Sequence, residues 1–368
     1  MTCMADIHIA SPDVGRSSLP RFFLVVYVLL VVYASLYPLA GWRDPGGPAL
    51  AFLVAPWPRY VTAFDLAANF FGYLPYGLLC VLAVDRRLSR GAAVAFAVVT
   101  GALLSLLLES AQSFLPARIA SNVDVLANVA GASAGAVIAA VFARWLLDGG
   151  PLHRLRAQAL TPGAAADLGL ALLGLWLFAQ LNPATLLFGS GDLRDLLASA
   201  EGERHKAELF VSIEAAITAM NLAAVAVLAS AGARPEAPLR RLVALLVVVA
   251  LVVKTVAFAI LMRAEHVFAW LTPGAQLGLA AGIVLAMAAL WLPRSARLAF
   301  AAVLLMAATV LVNLAPPNPY FAATLKVWEQ GHFLNFNGLT RLVSAAWPFA
   351  ALAYLVYLAS PGMRDPLR

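Results

Sequence analysis

Phe64-Asp65-Leu66-Ala67-Ala68-Asn69-Phe70-Phe71-Gly72-Tyr73-Leu74-Pro75-Tyr76-Gly77 is an apolar run with a carboxylate and an amide written into it. A second such stretch passes from Glu109 and Gln112 through Pro116 and Arg118 to Asp124, Asn128, Gly131 and Gly135. Both stretches sit in a chain of 368 residues that is 62% hydrophobic and only 12% charged. Ordinary soluble domains carry about 25% charged residues. Repeated apolar segments of about 20 residues match the length needed to cross a hydrocarbon layer of roughly 30 Å. The fold class is therefore all-α, a polytopic integral membrane helical bundle. Within it an ionisable group is costly and marks a function by default.

Working outward, the apolar segments fall at approximately 21–40, 64–84, 91–114, 122–143, 164–182, 209–231, 242–262, 274–292, 298–315 and 342–360, which makes about ten transmembrane helices. A polar connection from Arg144 to Gly163 separates the first four from the rest. The expected organisation is an N-terminal tail over 1–20, a four-helix unit over 21–145, a basic connection over 146–163 and a six-helix unit over 164–368. The first apolar segment is too long for a signal-peptide core and reads as a retained span.

The net charge of +6 reflects topology and not a nucleic-acid partner. Arg16, Arg21, Arg86, Arg87, Arg90, Arg154, Arg156, Arg240, Arg241, Arg294 and Arg297 alternate with segments poorer in basic residues. The positive-inside rule then puts both termini in the cytoplasm. Cys3 and Cys80 allow no disulfide framework, and no cofactor or metal signature is present.

With that orientation, Asp65 and Asn69 open the second span, Glu109 and Gln112 close the third, and Asp124 and Asn128 open the fourth, all at the outer side. Arg118 lies in the loop between the last two and could pair with Glu109 or Asp124. The i, i+4 and i, i+3 spacings put each pair on one helix face. The pattern Asp65, Ala68, Asn69, Gly72 recurs as Asp124, Ala127, Asn128, Gly131, an internal repeat of parallel sense. Two readings stand side by side. An Asp in the first turn of a helix caps free N–H groups and suits the macrodipole, so the acids form a structural network. Alternatively Asp65, Asn69, Glu109, Gln112, Arg118, Asp124 and Asn128 face a ligand, which would explain the amides one turn deeper. Gly131 and Gly135 form a small-x3-small pattern for close helix contact, and Pro75 implies a break in the hydrogen-bond ladder.

These residues resemble the VanZ-like family. The resemblance rests on Asp65, Asn69, Pro75 and Gly77; on Glu109, Gln112, Phe114, Pro116 and Arg118; and on Asp124, Asn128, Gly131 and Gly135. It covers roughly residues 22–143. It implies a bacterial cytoplasmic (inner) membrane protein of the cell envelope with a link to teicoplanin-type antibiotic resistance. Residues 164–368 depart from the minimal family pattern.

Outside that unit, Lys254 in mid-span needs a partner or a shifted pKa, with Glu214 nearest by depth; a structural pair or a snorkelling lysine is the plainer reading. Gln180, Asn182 and Asn313 lie at the outer helix ends. His332 reads as an interfacial loop residue, and Tyr320, Trp328 and Trp347 suit an aromatic belt. The leading functional expectation is binding of an amphiphilic ligand, a lipid-linked wall precursor or a glycopeptide, at the outer face. An enzyme acting on a lipid phosphate would instead hold a divalent cation on Asp65, Glu109 and Asp124, with Arg118 on the phosphate. A transporter would use Glu214 and Lys254.

Overall fold

The computed structural model describes residues 19–58, 61–84, 87–147, 151–194, 206–234, 236–261, 266–316, 318 and 334–360. Arg16, Arg86, Cys3, His332, Tyr320 and Trp328 lie outside these. Among the described residues there are eleven α-helices and one isolated β-bridge, between Leu160 and Ala233. The helices are α1 (Leu19–Leu36), α2 (Ala63–Val84), α3 (Arg90–Gln112), α4 (Asn122–Leu147), α5 (Pro151–Ala159) and α6 (Ala164–Ala179). They continue with α7 (Ala207–Ala231), α8 (Leu239–Leu261), α9 (Pro273–Ala289), α10 (Arg294–Leu314) and α11 (Leu334–Ala359). Eight contain apolar stretches of at least 18 residues, long enough to span a membrane. Helix α3 shows why: Val99, Leu103 and Leu107, one turn apart, are all more than half exposed. Such an outward apolar stripe suits lipid and not water.

Two of the ten expected spans are shorter. Helix α9 has 17 residues, bounded by the Thr272 cap and by Pro293. Helix α6 has 16, because the chain leaves the helix at Gln180 and enters an irregular loop. The polar connection also holds structure of its own, since α5 forms within it and Arg156 binds the buried Asp167 of α6.

Helices α1 to α4 pack on one another, with α2 and α4 in the most extensive contact, and α7 contacts α9 and α10 in the same way. The α2–α4 seam is set by glycine. A Cβ on Gly131 would lie 2.0 Å from the Phe70 carbonyl oxygen, on Gly135 1.9 Å from that of Leu74, and on Gly77 1.9 Å from that of Ala132. These pairings advance together along both helices, so α2 and α4 run parallel. Gly77 also abuts the Ala136 nitrogen, and those two are separated by the same number of residues as Asp65 and Asp124. Equivalent positions of the repeat therefore stand side by side. Below the seam, Tyr73, Tyr76, Cys80, Ala97 and Ala132 form a buried core with α1 packed against it.

A second core gathers Trp176, Phe188, Leu222, Phe258, Trp347 and Tyr354. Trp347 is a core residue and not part of an aromatic belt. It is 2% exposed, and its indole N–H donates to the Leu172 carbonyl at 2.7 Å. Helix α1 touches α6 and α11 as well as α2, so it stands between the two cores.

Candidate polar site

The polar residues of α2, α3 and α4 meet at one end of the first four helices. Each of α2 and α4 begins with a hydroxyl cap. Thr62 accepts from the Asp65 N–H at 3.1 Å, while the Asp65 carboxylate accepts from the Thr62 N–H at 3.2 Å and from its hydroxyl at 2.7 Å. This is a reciprocal capping box. Asp65 is exposed and fulfils the structural reading.

The repeat breaks at this point in α4. Ser121, the counterpart of Thr62, accepts from the N–H groups of Val123 at 3.2 Å and Asp124 at 3.4 Å. Its own N–H, however, donates to Glu109 of α3 at 2.9 Å. Glu109 takes the capping place that Asp65 fills in α2, which releases the Asp124 carboxylate. Asn69 of α2 reaches that carboxylate, and the charges of Asp65 and Glu109 act on it. One turn deeper, Asn128 is 4% exposed and donates to the Ser105 hydroxyl at 3.0 Å. The Asn128 carbonyl oxygen and the Tyr73 hydroxyl are buried with no hydrogen-bond partner. Unsatisfied buried groups cost about 1–3 kcal/mol each, so a column of unspent polar capacity leads inward from Asp124.

Arg118 does not pair with a carboxylate as expected. Its Nε donates to the Tyr37 carbonyl at 3.0 Å and its Nη2 to that of Ala34 at 2.8 Å. Gln112 donates to the Ser35 carbonyl at 3.0 Å. Both close the C-terminal end of α1, whose last carbonyls lack helical partners and favour a cation. Burial pulls the Arg118 pKa down, and the charge of Glu109 opposes that shift. With Arg118 spent on carbonyls, it is not placed to hold a phosphate. Nor do the acids converge on a cation: among the described residues no group of three His, Cys, Asp or Glu side chains is arranged to hold a metal. The loop between α1 and α2 folds over this end. Arg43 N–H donates to Phe114 at 2.9 Å, and Asn122 donates to Ala55 at 2.9 Å.

The second helix group has its own polar centre. Lys254 is fully buried and does not pair with Glu214. Its Nζ donates to the carbonyls of Asn182 at 2.7 Å and Thr185 at 2.8 Å and to the Thr185 hydroxyl at 3.1 Å. Glu214 accepts from the Thr272 hydroxyl at 2.6 Å. Lys254 thus supports the loop that follows α6, which is buried among helices. The same loop is held by Thr218 on the Leu187 carbonyl at 3.1 Å, by Gln180 on the Phe188 N–H at 3.1 Å, and by Asn313 on both Gly191 and Leu193 at 2.7 Å. Irregular backbone is tolerated at membrane depth only where protein satisfies it or where it lines a cavity.

Sequence reasoning missed Thr62 and Ser121, although each stands three residues before an Asp, the ordinary capping-box signal. It also missed Ser105 and Tyr73, whose placement depends on how α2 and α3 face α4.

The fold and these sites define a polytopic helical membrane protein with a polar centre at the end of its first four helices. The family model described as VanZ/LLP1 matches residues 22–143, about a third of the chain, so this N-terminal part is a VanZ-like unit. No curated protein and no solved structure matches the chain.

Proposed function

We propose that the VanZ-like unit binds an amphiphilic ligand of the cell envelope, a lipid-linked wall precursor or a lipoglycopeptide, at the end where Asp65, Asn69, Glu109, Gln112, Arg118, Asp124 and Asn128 gather. This end faces outward from the bacterial cytoplasmic membrane, with both termini inside, as the arginine distribution favours. The release of Asp124 from helix capping by Glu109 carries the proposal. A carboxylate kept at a helix start with its capping task done by another residue is available for a ligand. Asp124, Asn69 and Asn128 make the contacts in this reading, and Asp65 adds negative charge at the rim. Glu109, Gln112 and Arg118 hold the frame. Among the described residues Asp65 and Asp124 form no ion pair with a guanidinium, and Arg118 bonds to carbonyls while acting on Glu109 only through its charge, so the site favours ammonium and amide N–H groups, which both ligand classes offer. Their lipid chains would lie along the exposed apolar faces of the helices. A link to glycopeptide resistance would follow from capture of either partner of the drug–precursor pair.

The test is titration of the full chain in nanodiscs with a lipid-linked precursor and with teicoplanin, followed by thermal unfolding. Saturable stabilisation by one of them supports the proposal, and the absence of a shift with both contradicts it.

A further inference from the structure

At the end of the bundle away from the Asp124 centre, arginines gather without an acid to answer them. Tyr37, whose carbonyl binds Arg118, packs its ring on Gly338 near the start of α11. About 24 Å further along that helix, the Arg294 charge acts on Tyr354, whose hydroxyl donates to Ala165 at the start of α6. Arg294 opens α10 and Arg297 follows within its first turn, and their like charges act on each other. The Arg297 Nε is buried and has no hydrogen-bond partner. Pro293 stands at the N-cap and gives that turn no side-chain bond. A helix N-terminus favours an anion, so two cations on an uncapped first turn concentrate positive charge. Arg240 of α8 joins them through Trp291, its guanidinium lying 5.7 Å from the ring centroid. Among the described residues none of these three arginines is in an ion pair. The buried acid at this end, Asp167, is held by Arg156.

We propose that this cluster binds the phosphate of an anionic phospholipid in the adjoining leaflet, with Arg240, Arg294 and Arg297 as its donors. Guanidinium presents planar N–H donors matched to phosphate oxygens, and a guanidinium stacked on an indole keeps its N–H edge free for them. The surroundings select a lipid as the carrier of that phosphate. Leu277, Val284 and Trp291 recur at seven-residue spacing through α9 and just past its end, and all are more than half exposed. On α8, Leu245, Val248 and Val252 form a second outward stripe, and the exposed Arg241 stands one turn before it. The two helices meet in one core cluster at Val243 and Ala286. A headgroup held at the arginines thus lays its acyl chains along apolar stripes, with the indole at headgroup level. Basic surface alone draws acidic lipids diffusely, whereas charges gathered between helix ends make a discrete site. The site is built from other residues than the Asp124 centre and does not rest on ligand binding there.

The experiment measures thermal unfolding of the full chain in phosphatidylcholine nanodiscs with a rising share of phosphatidylglycerol. The wild type should be stabilised saturably, and the share giving half of the full effect is read. Arg294→Gln and Arg297→Gln should each raise that share by about tenfold or more, as loss of a charge-assisted bond predicts. Arg240→Gln should raise it by about two- to tenfold. Arg90→Gln removes an exposed arginine from the start of α3, at the same end of the bundle, and should leave the share unchanged. If Arg297→Gln does not fold, the exposed Arg294 and Arg240 decide. Three results overturn the proposal: no effect of phosphatidylglycerol, a loss with Arg90→Gln equal to that with Arg294→Gln, or equal stabilisation by inorganic phosphate in phosphatidylcholine alone.

Discussion

Arg118 is fastened to Tyr37: its Nε donates to the Tyr37 carbonyl oxygen at 3.0 Å, across the end of α1. With the bond to Ala34 this closes α1 by a fork of donors from another loop. Arg118→Lys should therefore fail to rescue, because an ammonium cannot span two carbonyls in that fixed geometry. A loss of about 1.5–3 kcal/mol is expected, the range for bonds to charged groups. Thermal unfolding of Arg118→Lys and Arg118→Gln checks this, and both should melt well below the wild type.

The α2–α4 seam makes a sharper contrast. Gly131→Ala puts a methyl 2.0 Å from the Phe70 carbonyl oxygen, far inside contact distance, whereas a Cβ on Gly72 meets nothing within 4 Å. Gly131→Ala should destabilise by about 1–3 kcal/mol or more, the usual cost of overpacking. Gly72→Ala should be neutral or stabilising by up to about 1 kcal/mol from helix propensity. Monodispersity and melting temperature of the two purified variants, side by side, report the difference.

Lys254 and Glu214 answer to different partners. Lys254→Met removes the donor that satisfies Asn182 and Thr185, so the loop after α6 should loosen, at a cost of about 2–5 kcal/mol for an unsupported buried site. Glu214→Gln should act through Thr272 instead. A double-mutant cycle on unfolding should give additive effects, within about 0.5 kcal/mol. A coupling well above that would mean the two form a pair.

Asp192 supplies a pH signature. Burial alone would raise its carboxyl pKa, but the hydrogen bonds and charge of Arg194 outweigh that and hold it below the usual aspartate range. A depressed folded pKa gives stability that is present above the unfolded value, about 3.9. That stability is lost as pH falls through the folded value. The melting-temperature gap between wild type and Asp192→Asn should therefore be constant above about pH 5 and shrink as the pH falls below about 4.

Much of this fold is legible in the amino-acid order because lipid imposes one dominant rule. Apolar length marks the spans, and the Asp/Asn pairs mark helix starts whose equivalents then lie abreast at Gly77 and Ala136. What stayed hidden depends on facing. Arg118 and Lys254 look like partners for acids, since a pattern of spacing counts charges but does not see the carbonyls left over at a helix end or in a buried loop. Trp347 looks interfacial by position and becomes core because its N–H finds Leu172. Helix α6 ends early because the loop after it is accommodated inside the protein, satisfied by side chains from α7, α8 and α10 that are distant in the chain.

Glu109 caps Ser121 so that Asp124 does not have to, and this division of labour is the centre of the functional account. Its most direct test is a paired measurement of unfolding and ligand affinity for Asp65→Ala and Asp124→Asn, with a lipid-linked wall precursor as the titrant. Asp65→Ala should lower stability by about 0.5–2 kcal/mol, as loss of a cap does, while largely keeping affinity. Asp124→Asn should keep the wild-type melting temperature while losing about tenfold or more in affinity, as removal of a charge-assisted contact predicts. An Asp124→Asn protein that melts early yet binds the precursor like the wild type would contradict the account and return Asp124 to a purely structural role.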